Sequence, residues 1–341
     1  MQLQNFVLSS MLNLSEYLEV IDLQTVFITR KLPDEVVKQL KEKFNVKMWH
    51  SEEIPMTYEE LKKEAKDAHA LWTVLSDKID RELIESLPNL KVISNLAVGY
   101  NNIDTEAAKE RGIIVTNTPG VLTETTADLT FALLLATARR VTESERDLRA
   151  GKWKSWTPMG LTGMDVFGAT LGIIGMGRIG EAVAKRAKGF NMNVLYHNRT
   201  RKKEAEEEFG FSYVELDTLL QESDFIVLLT PLTAETKGLI GERELSLMKE
   251  TAAIINVARG GIIDEQALYE ALKTNKIWAA GLDVFEVEPV PMDHPLLTLP
   301  NVTVLPHIGS ASIHTRMAMM QMNAEAIEAV LEETEPENRV V

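Results

Sequence analysis

The chain has 341 residues, of which 45% are hydrophobic and 26% charged, a composition typical of a soluble globular protein with room for two domains. Its formal net charge of -15 argues against bulk attraction to nucleic acid or to an anionic membrane surface. The absence of cysteine excludes disulfides, thiolate metal sites and a cysteine nucleophile, and it fits a reducing compartment such as the cytoplasm.

Residues 1–23 form an N-terminal extension to the patterned part of the sequence. They lack the basic region that begins a signal peptide, and Asn13, Glu16 and Glu19 interrupt their apolar runs. We therefore expect a short extra helix or a disordered tail here. No apolar run in the chain reaches the length of about eighteen residues that a membrane-spanning helix needs, so no such helix is predicted.

From Thr25 onward, short apolar runs alternate with amphipathic segments. A helix is predicted over 34–44, and strands are predicted over 25–29, 70–75, 91–97 and 113–117. Strands that are separated by helices form βαβ units, so these segments predict a parallel sheet. The series ends at "NTPG" (117–120), where Pro119 and Gly120 interrupt the pattern.

A long helix and a second alternating series follow. Residues 122–149 are predicted to be one helix, apolar around so much of its circumference that it needs burial in a core or in an oligomer contact. Strands are then predicted over 170–175, 192–197, 225–230, 252–258, 278–285 and 301–307, and a last amphipathic helix over 312–333. The pattern therefore predicts two α/β sheets.

Gly175, Gly177 and Gly180 form a G-x-G-x-x-G motif between an apolar strand and a helix. In that context the motif predicts a dinucleotide-binding turn. The first glycine permits the tight turn, the second lets the backbone approach a pyrophosphate, and the third allows the helix to pack closely on the strand. The N–H groups at the start of the helix then face the anion.

The residues after the next strand indicate which dinucleotide is bound. An acidic residue usually stands there and binds a ribose hydroxyl, but this chain has Asn198, Arg199 and Thr200. Arg199 can bind a 2′-phosphate through two hydrogen bonds, and Thr200 can donate its hydroxyl. If the following helix begins near Arg201, its cations precede its acids, which is unfavourable for the helix dipole unless a phosphate is bound. The sequence therefore predicts NADP(H) in preference to NAD(H).

Three strand ends of the second series carry side chains suited to hydride transfer. That reaction needs a proton donor for the substrate oxygen and a cation for an acid substrate, and in an open α/β sheet such groups lie beyond the carboxyl ends of strands. Of the six histidines, only His307 directly follows a strand of this series. Arg259 and Glu288 follow two other strands.

Several segments together carry a family resemblance. They are "NLAVGYNNID" (95–104), "TNTPGVLTETTADLTFALLLATAR" (116–139), "GIIGMGRIG" (172–180), "NVARGGIIDEQAL" (256–268), "GLDVFEVEP" (281–289) and "LPHIGS" (305–310). Over residues 25–335 the chain resembles the D-isomer-specific 2-hydroxyacid dehydrogenases. Within that family it is most similar to the glyoxylate and hydroxypyruvate reductases, including those that also reduce 2-ketogluconate.

The resemblance implies an α/β fold with two doubly wound parallel-sheet domains. A Rossmann dinucleotide-binding domain (119–308) is expected to be inserted in a flavodoxin-like substrate-binding domain (24–118 and 309–335), with the catalytic cleft between them. The helix from Thr123 is expected to form a homodimer contact through the dinucleotide-binding domain.

The resemblance also implies a role for each candidate residue. Arg259 would bind the substrate carboxylate and carbonyl oxygen, His307 would protonate that oxygen, and Glu288 would keep His307 protonated, as a neighbouring carboxylate can. Leu75, Val98 and Gly99 would also contact substrate, with Tyr100 and Trp156 near its side chain, and Asp283 would bind the nicotinamide amide. The remaining cofactor contacts would be Thr126, Gly175, Gly177, Arg178, Ile179, Gly180, Asn198, Arg199, Thr200, Thr230, Pro231, Thr236, Val257, Ala258, His307 and Gly309.

The expected function is therefore NADP(H)-dependent reduction of glyoxylate, hydroxypyruvate or 2-ketogluconate to a D-2-hydroxy acid, without metal, nucleic acid or membrane partners. Phosphite oxidation uses the same arginine, glutamate and histidine and is an alternative, whereas formate enzymes have glutamine where Glu288 stands. Phosphoglycerate oxidation is another alternative, but the longer enzymes of that type carry a C-terminal regulatory domain, and few residues follow His307 here. A nucleotide-sensing corepressor on this fold is the non-enzymatic alternative, although such proteins usually have partner-binding segments and disordered tails.

Overall fold

The computed structural model describes residues 23–341, so the prediction for the N-terminal extension lies outside the described residues except for Leu23. The chain divides into two compact units. The first contains the described part of Met1–Asn117 together with Met320–Val341, and the second contains Thr118–Met319. The predicted domain boundaries were 118/119 and 308/309, whereas the second crossing between the units falls inside the last helix.

The first unit contains a five-stranded parallel sheet. Its strands are β1 (Thr25–Ile28), β2 (Asn45–Met48), β3 (Ala70–Val74), β4 (Val92–Leu96) and β5 (Ile114–Thr116), and its helices are α1 (Asp34–Lys43), α2 (Tyr58–Glu64), α3 (Arg81–Ser86) and α4 (Thr105–Glu110). The strand order β2-β1-β3-β4-β5 is that of flavodoxin-like sheets. Side chains of Thr57, Asp80 and Asp104 accept backbone N–H groups at the starts of α2, α3 and α4, which explains where these helices begin.

The second unit contains a seven-stranded parallel sheet. Its strands are β6 (Thr170–Ile174), β7 (Asn193–His197), β8 (Ser212–Tyr213), β9 (Phe225–Leu228), β10 (Ala253–Asn256), β11 (Ala279–Leu282) and β12 (Val302–Val304). The order β12-β11-β10-β9-β6-β7-β8 reverses between β6 and β9, the place where doubly wound sheets bind ligands. Strands β9, β10 and β11 are buried along their whole length, as expected for strands with both faces covered.

The helices of the second unit connect these strands and flank the sheet. They are α5 (Thr123–Ala138), α6 (Val141–Arg149), α7 (Arg178–Lys188), α8 (Lys203–Phe209), α9 (Leu216–Glu222), α10 (Glu242–Leu247), α11 (Glu265–Lys273) and the start of α12 (Ile313–Leu331). A short 3-10 helix spans Pro295–Thr298. The predicted class, α/β with two doubly wound parallel sheets, is confirmed. No helix within residues 23–341 has both the length and the apolar character needed to cross a membrane.

The prediction of one helix over 122–149 is wrong. The helix breaks at Arg140, whose φ of 53° is left-handed, and a separate helix, α6, starts at Val141. Helix α5 packs against α7 and strands β10, β11 and β12, so burial within this unit accounts for its apolar circumference. Large exposed apolar side chains occur in the segment after α5, at Val141, Leu148, Trp153, Trp156, Met159 and Phe167.

Candidate active site

The glycine turn lies between β6 and α7, at the carboxyl end of the sheet. Gly175 has a φ of 106°, and a Cβ there would lie 2.6 Å from the Thr230 nitrogen, so neither the backbone conformation nor the space admits a side chain. A Cβ at Gly180 would lie 2.4 Å from the carbonyl oxygen of Gly175. These two glycines therefore allow β6, α7 and the loop after β9 to approach one another closely.

Gly177 differs from its two neighbours in the motif. A Cβ at this position would meet nothing within 4 Å, so the space in front of it is open. Gly177 is also the residue that precedes α7, and no side chain caps the helix start that Arg178 and Ile179 form. Uncapped N–H groups beside an open space are the donor set that a pyrophosphate needs, so these residues fit a dinucleotide.

The loop after β7 carries the residues expected at the ribose. Asn198 donates its side-chain amide to the carbonyl of Thr200 at 2.8 Å and so shapes the loop, while Arg199 and Thr200 are exposed. Glu235, on the loop after β9, has its pKa lowered mainly by the Thr233 hydroxyl and to a smaller extent by the positive charge of Arg199. The charge of Arg199 therefore reaches the loop after β9.

The helix after this loop does not have the charge order that was predicted for it. Helix α8 begins at Lys203, not near Arg201, and Glu204 and Glu206 lie in its first turn, where acids suit the helix dipole. Arg201 is bound to Glu206 through two hydrogen bonds of 2.7 and 2.6 Å. The charge order of this helix therefore needs no bound phosphate, and the case for NADP(H) depends on residues 198–200.

The loop after β9 supplies other predicted cofactor contacts. Thr230 and Pro231 follow this strand beside Gly175. The Thr236 hydroxyl donates to the Pro231 carbonyl at 2.7 Å and accepts from the Thr233 N–H at 2.8 Å. Through these two hydrogen bonds Thr236 closes the turn that carries Thr230 and Pro231.

His307 and Glu288 form the closest pair of candidate catalytic groups. Nδ1 of His307 lies 2.6 Å from Oε2 of Glu288, and both side chains are about a quarter exposed. The other carboxylate oxygen of Glu288 accepts the N–H of Phe285 at 3.0 Å. Burial acts to raise the pKa of Glu288, but the hydrogen bond and charge of His307, the Phe285 N–H and the charge of Arg259 together outweigh it, so the pKa lies below its ordinary value. Glu288 is thus the ionised acceptor for His307.

Arg259 follows β10 and is half-buried near the same pair. Burial lowers the pKa of its guanidinium, and the negative charge of Glu288 partly offsets that effect. The Arg259 side chain donates to the Ala258 carbonyl at 2.7 Å. Buried Asn256 accepts the Ala258 N–H and donates to the Arg259 carbonyl, so it fixes the turn that also contains Val257. Sequence reasoning missed Asn256, whose only signal is an amide at the end of a buried strand.

His307 itself lies in a strained turn, with a φ of 54°. The carboxylate of Asp283 holds this turn, because it accepts the N–H groups of Ile308 and Gly309, each at 2.8 Å, and the His307 N–H donates to the Asp283 carbonyl at 2.8 Å. Asp283 is buried, and this burial raises the pKa of its carboxyl. A Cβ at Gly309 would lie 3.5 Å from Thr126, which places α5 against the same turn.

In the first unit, the predicted substrate residues lie on loops at the carboxyl ends of β3 and β4. The carbonyls of Val98 and Gly99 accept the side-chain amides of Asn117 and Asn95 at 2.7 and 2.9 Å. Among residues 23–341 the N–H groups of Val98 and Gly99 have no acceptor, so both can bind an anion. Half-buried Leu75 lies on the neighbouring loop after β3.

Asn102 connects these two loops and was missed by sequence reasoning. Its side-chain amide donates to the carbonyls of Val74 and Asp77, at 3.3 and 3.0 Å, and it also contacts the amide of Asn95. Asparagines in "NLAVGYNNID" (95–104) thus position the backbone groups that were predicted to bind substrate. The motif was the only sign of this role in the sequence. The contacts of its asparagines could not be predicted, because they depend on the conformation of the loops.

The second unit therefore has a dinucleotide-binding turn and a histidine–carboxylate pair with an arginine, all beyond the carboxyl ends of one parallel sheet. This combination defines an NAD(P)-dependent oxidoreductase. The model of the D-isomer specific 2-hydroxyacid dehydrogenase NAD-binding domain matches residues 131–309. The chain belongs to the D-isomer-specific 2-hydroxyacid dehydrogenase family, and the resemblance seen in its motifs is confirmed.

Comparison with individual proteins agrees with this family. The chain is 51% identical over 316 residues to the glyoxylate reductase of Korarchaeum cryptofilum, covering 92% of this chain and 95% of that protein. It is 53% identical over 305 residues to the glyoxylate reductase of Pyrococcus horikoshii, covering 88% of this chain and 90% of that protein. A crystal structure of the NADPH-dependent glyoxylate/hydroxypyruvate reductase of Sinorhizobium meliloti, in complex with NADP and malonate, matches with a TM-score of 0.81 at 35% identity, covering 93% of this chain and 97% of that one.

Proposed function

We propose that the protein is an NADP(H)-preferring reductase of small 2-keto acids and that it yields D-2-hydroxy acids. The candidate substrates are glyoxylate, hydroxypyruvate and 2-ketogluconate. The observation that carries the proposal is the 2.6 Å hydrogen bond between His307 and Glu288 with Arg259 nearby. The similarity to curated glyoxylate reductases at about half identity supports glyoxylate as the first substrate to test.

His307 acts as the proton donor in this proposal. Because the ionised Glu288 accepts the proton of Nδ1, Nε2 is the nitrogen left to protonate the substrate. When bound, the dinucleotide supplies the hydride that the carbonyl carbon receives. Nε2 gives its proton to the carbonyl oxygen, which becomes a hydroxyl, and His307 is left as neutral imidazole, still bound to Glu288.

Arg259 supplies the positive charge that a keto acid requires. Its planar guanidinium can bind a carboxylate through two parallel hydrogen bonds. Because the group is half-buried, its attraction for an anion is screened less than at an exposed surface. The free N–H groups of Val98 and Gly99 are proposed as further ligands of the substrate carboxylate.

The preference for NADP(H) is proposed from the loop after β7. Asn198, Arg199 and Thr200 place no negative charge where a 2′-phosphate would lie, and Arg199 offers a cation for it. The similar reductase of Sinorhizobium meliloti is NADPH-dependent. Arg201 is excluded as a phosphate ligand in this proposal, because Glu206 already binds it.

A homodimer through the second unit is also proposed, but with the contact on the segment after α5. Trp153, Trp156 and Met159 are 65%, 78% and 78% exposed, a concentration of large apolar side chains that is uncommon on a monomer surface. A second copy that covers this segment would remove it from water. Besides the dinucleotide, the family implies a small-molecule acid as ligand. A cytoplasmic location stays a prediction.

The test is kcat/KM for glyoxylate, hydroxypyruvate and 2-ketogluconate, each with NADPH and with NADH. We expect NADPH oxidation with at least one keto acid and a higher kcat/KM with NADPH than with NADH. Phosphite with NADP+ is the control for the alternative chemistry on the same residues. Turnover of phosphite together with no oxidation of NADPH by any keto acid would reject the proposal.

A further inference from the structure

The loop that carries Glu288 is held by a second histidine–carboxylate pair outside the proposed site. Nε2 of His294 lies 3.0 Å from Oε2 of Glu265, and both side chains are mostly buried, with 18% and 16% exposure. Glu265 is the first residue of α11, and His294 ends the loop that leaves β11. Glu265 and His294 have no role in the proposed chemistry, so their burial needs another explanation.

Glu265 binds this loop at two points. Its Oε1 accepts the N–H of Glu286 at 2.6 Å, while its Oε2 contacts His294. The two contacts therefore hold residues on either side of Glu288. The backbone of Glu265 is itself fixed, because Asp264 caps α11 by accepting the N–H groups of Gln266 and Ala267, each at 3.0 Å.

The same chain segment places Arg259. A Cβ at Gly260 would lie 1.9 Å from the carbonyl carbon of Phe285, so residue 260 approaches the peptide of the Glu288 loop as closely as a glycine allows. Residues 259–265 thus contact this loop at both ends, through Gly260 and through Glu265. The segment that carries Arg259 and the loop that carries Glu288 therefore pack against each other.

Contacts within the loop connect His294 to Glu288, and Glu288 in turn contacts His307. The ring of Phe285 meets the ring of His294 edge-on at 6.0 Å, and the Phe285 N–H donates to Glu288. Nδ1 of His294 is buried and has no hydrogen-bond partner among the described residues. A buried nitrogen without a hydrogen-bond partner lowers the stability of the fold by about 1–3 kcal/mol. The orientation of the ring that leaves Nδ1 unpaired is the one that places Nε2 against Glu265.

We propose that Glu265, acting with His294, is a positioning residue that holds the 285–294 loop so that Glu288 reaches His307. Neither residue contacts the reacting atoms; both act through Glu288. The inference deepens the proposed function and rests on the roles given there to Glu288 and His307. The charged groups that face His307 in this unit are Glu288 and Asp283, with Arg259 beyond the first and Arg316 beyond the second.

The test is a double-mutant cycle with Glu265→Ala and Glu288→Gln. Glu265→Ala is expected to lower kcat about tenfold to a hundredfold, as a misplaced catalytic group does, while the KM for NADPH changes less than about twofold. In the Glu288→Gln background the same change is expected to lower kcat less than about twofold further, because both act at one point. Gln266→Ala, at the next and exposed position of α11, is the control and should leave kcat unchanged.

Glu265→Gln checks the fold and the geometry. Its side-chain oxygen can still accept the Glu286 N–H, so kcat should recover to within about threefold of wild type. If the loss of kcat in the double variant equals the product of the losses in Glu265→Ala and Glu288→Gln, the two residues act independently and the proposal is overturned. A Glu265→Ala variant with a lower Tm but an unchanged kcat and pH profile would also overturn it.

A readout that needs no turnover separates this proposal from the proposed function. The hydrogen-bonded Nδ1 proton of His307 can be followed by NMR at one fixed pH, with His307→Asn used to assign its signal. Glu265→Ala is expected to weaken the hydrogen bond to Glu288 and so to move this signal upfield, in the direction of Glu288→Gln. If that change occurs while no keto acid is reduced, the positioning role stands and the proposed function fails. An unchanged signal in Glu265→Ala, beside a changed signal in Glu288→Gln, rejects the positioning role.

Discussion

Oε2 of Glu288 lies 2.6 Å from Nδ1 of His307, although the two residues follow different strands of the second sheet. Strands β11 and β12 are adjacent and parallel, so their carboxyl ends lie side by side and bring the two loops together. The hydrogen bond assigns a direction to the pair: Nδ1 faces the carboxylate, and Nε2 is the nitrogen that can exchange a proton with substrate.

Glu288→Gln should lower kcat/KM for keto-acid reduction at every pH from 5 to 9. The pKa of Glu288 lies below its ordinary value, so the carboxylate is ionised throughout this range and accepts the Nδ1 proton of His307. A neutral amide oxygen is a weaker acceptor than a carboxylate, so the variant supports the proton donor less well. The pH dependence of kcat/KM measures this, and the loss should stay nearly constant because Glu288 does not change its charge in this range. Equal kcat/KM for the two proteins would show that the carboxylate has no effect on the donor.

Gly177→Ala should weaken dinucleotide binding without unfolding the protein. A Cβ at Gly177 meets no protein atom within 4 Å, so its effect should come from the space that a pyrophosphate would take. We expect the Kd for NADPH to rise about tenfold or more, with Tm in the absence of ligand nearly unchanged. Gly189→Ala, at the other end of α7, is the matched control. Equal Kd values for the two variants would place the pyrophosphate elsewhere.

Arg199→Asp should shift the cofactor preference toward NADH. The substitution removes a cation and restores the acid that binds a ribose hydroxyl in NAD-dependent relatives of this fold. Loss of a charge-assisted hydrogen bond is worth about 1.5–3 kcal/mol, so the NADPH/NADH ratio of kcat/KM should fall about tenfold to a hundredfold. Arg201→Asp tests specificity, since Arg201 is already bound to Glu206. A ratio that responds to Arg201 and not to Arg199 would refute the assignment.

Glu206→Gln should destabilise the second unit at neutral pH, and the effect should fade in acid. Hydrogen bonds from Arg201 and then Tyr196 lower the pKa of Glu206 from 4.5 to about 2. A depressed folded-state pKa adds stability above the unfolded value, and this stability is lost as the pH falls from about 4.5 toward 2. We expect Tm to fall by roughly 1–3 °C at pH 7 and by less at pH 3.5. Glu207→Gln, at an exposed position, is the control, and a pH-independent difference would contradict this account.

The central strands were predictable from sequence because they are continuously apolar and buried on both faces. The two strands that sequence reasoning did not identify, β2 (Asn45–Met48) and β8 (Ser212–Tyr213), are short edge strands that are partly exposed, so their pattern carries little signal. The break at Arg140 was equally hidden, because its left-handed conformation falls on a residue type that does not favour one.

The candidate catalytic residues were predictable because strand ends of a parallel sheet share one edge. The residues proposed to position them, Glu265 and His294, could not be predicted in this way. They are far apart in sequence and meet only through the conformation of a loop. The order of charges in α8 was also wrongly predicted, because a difference of two residues in where a helix starts changes which side chains lie in its first turn.

The proposed role of His307 is tested by kcat/KM for glyoxylate with NADPH, measured for the wild type and for His307→Asn side by side. We expect turnover by the wild type and a loss of about 10²–10⁴-fold in the variant, with the Kd for NADPH nearly unchanged. Asn keeps a side chain of similar polarity but cannot donate a proton as an acid. Equal kcat/KM for the two proteins would contradict the role of His307 as the proton donor.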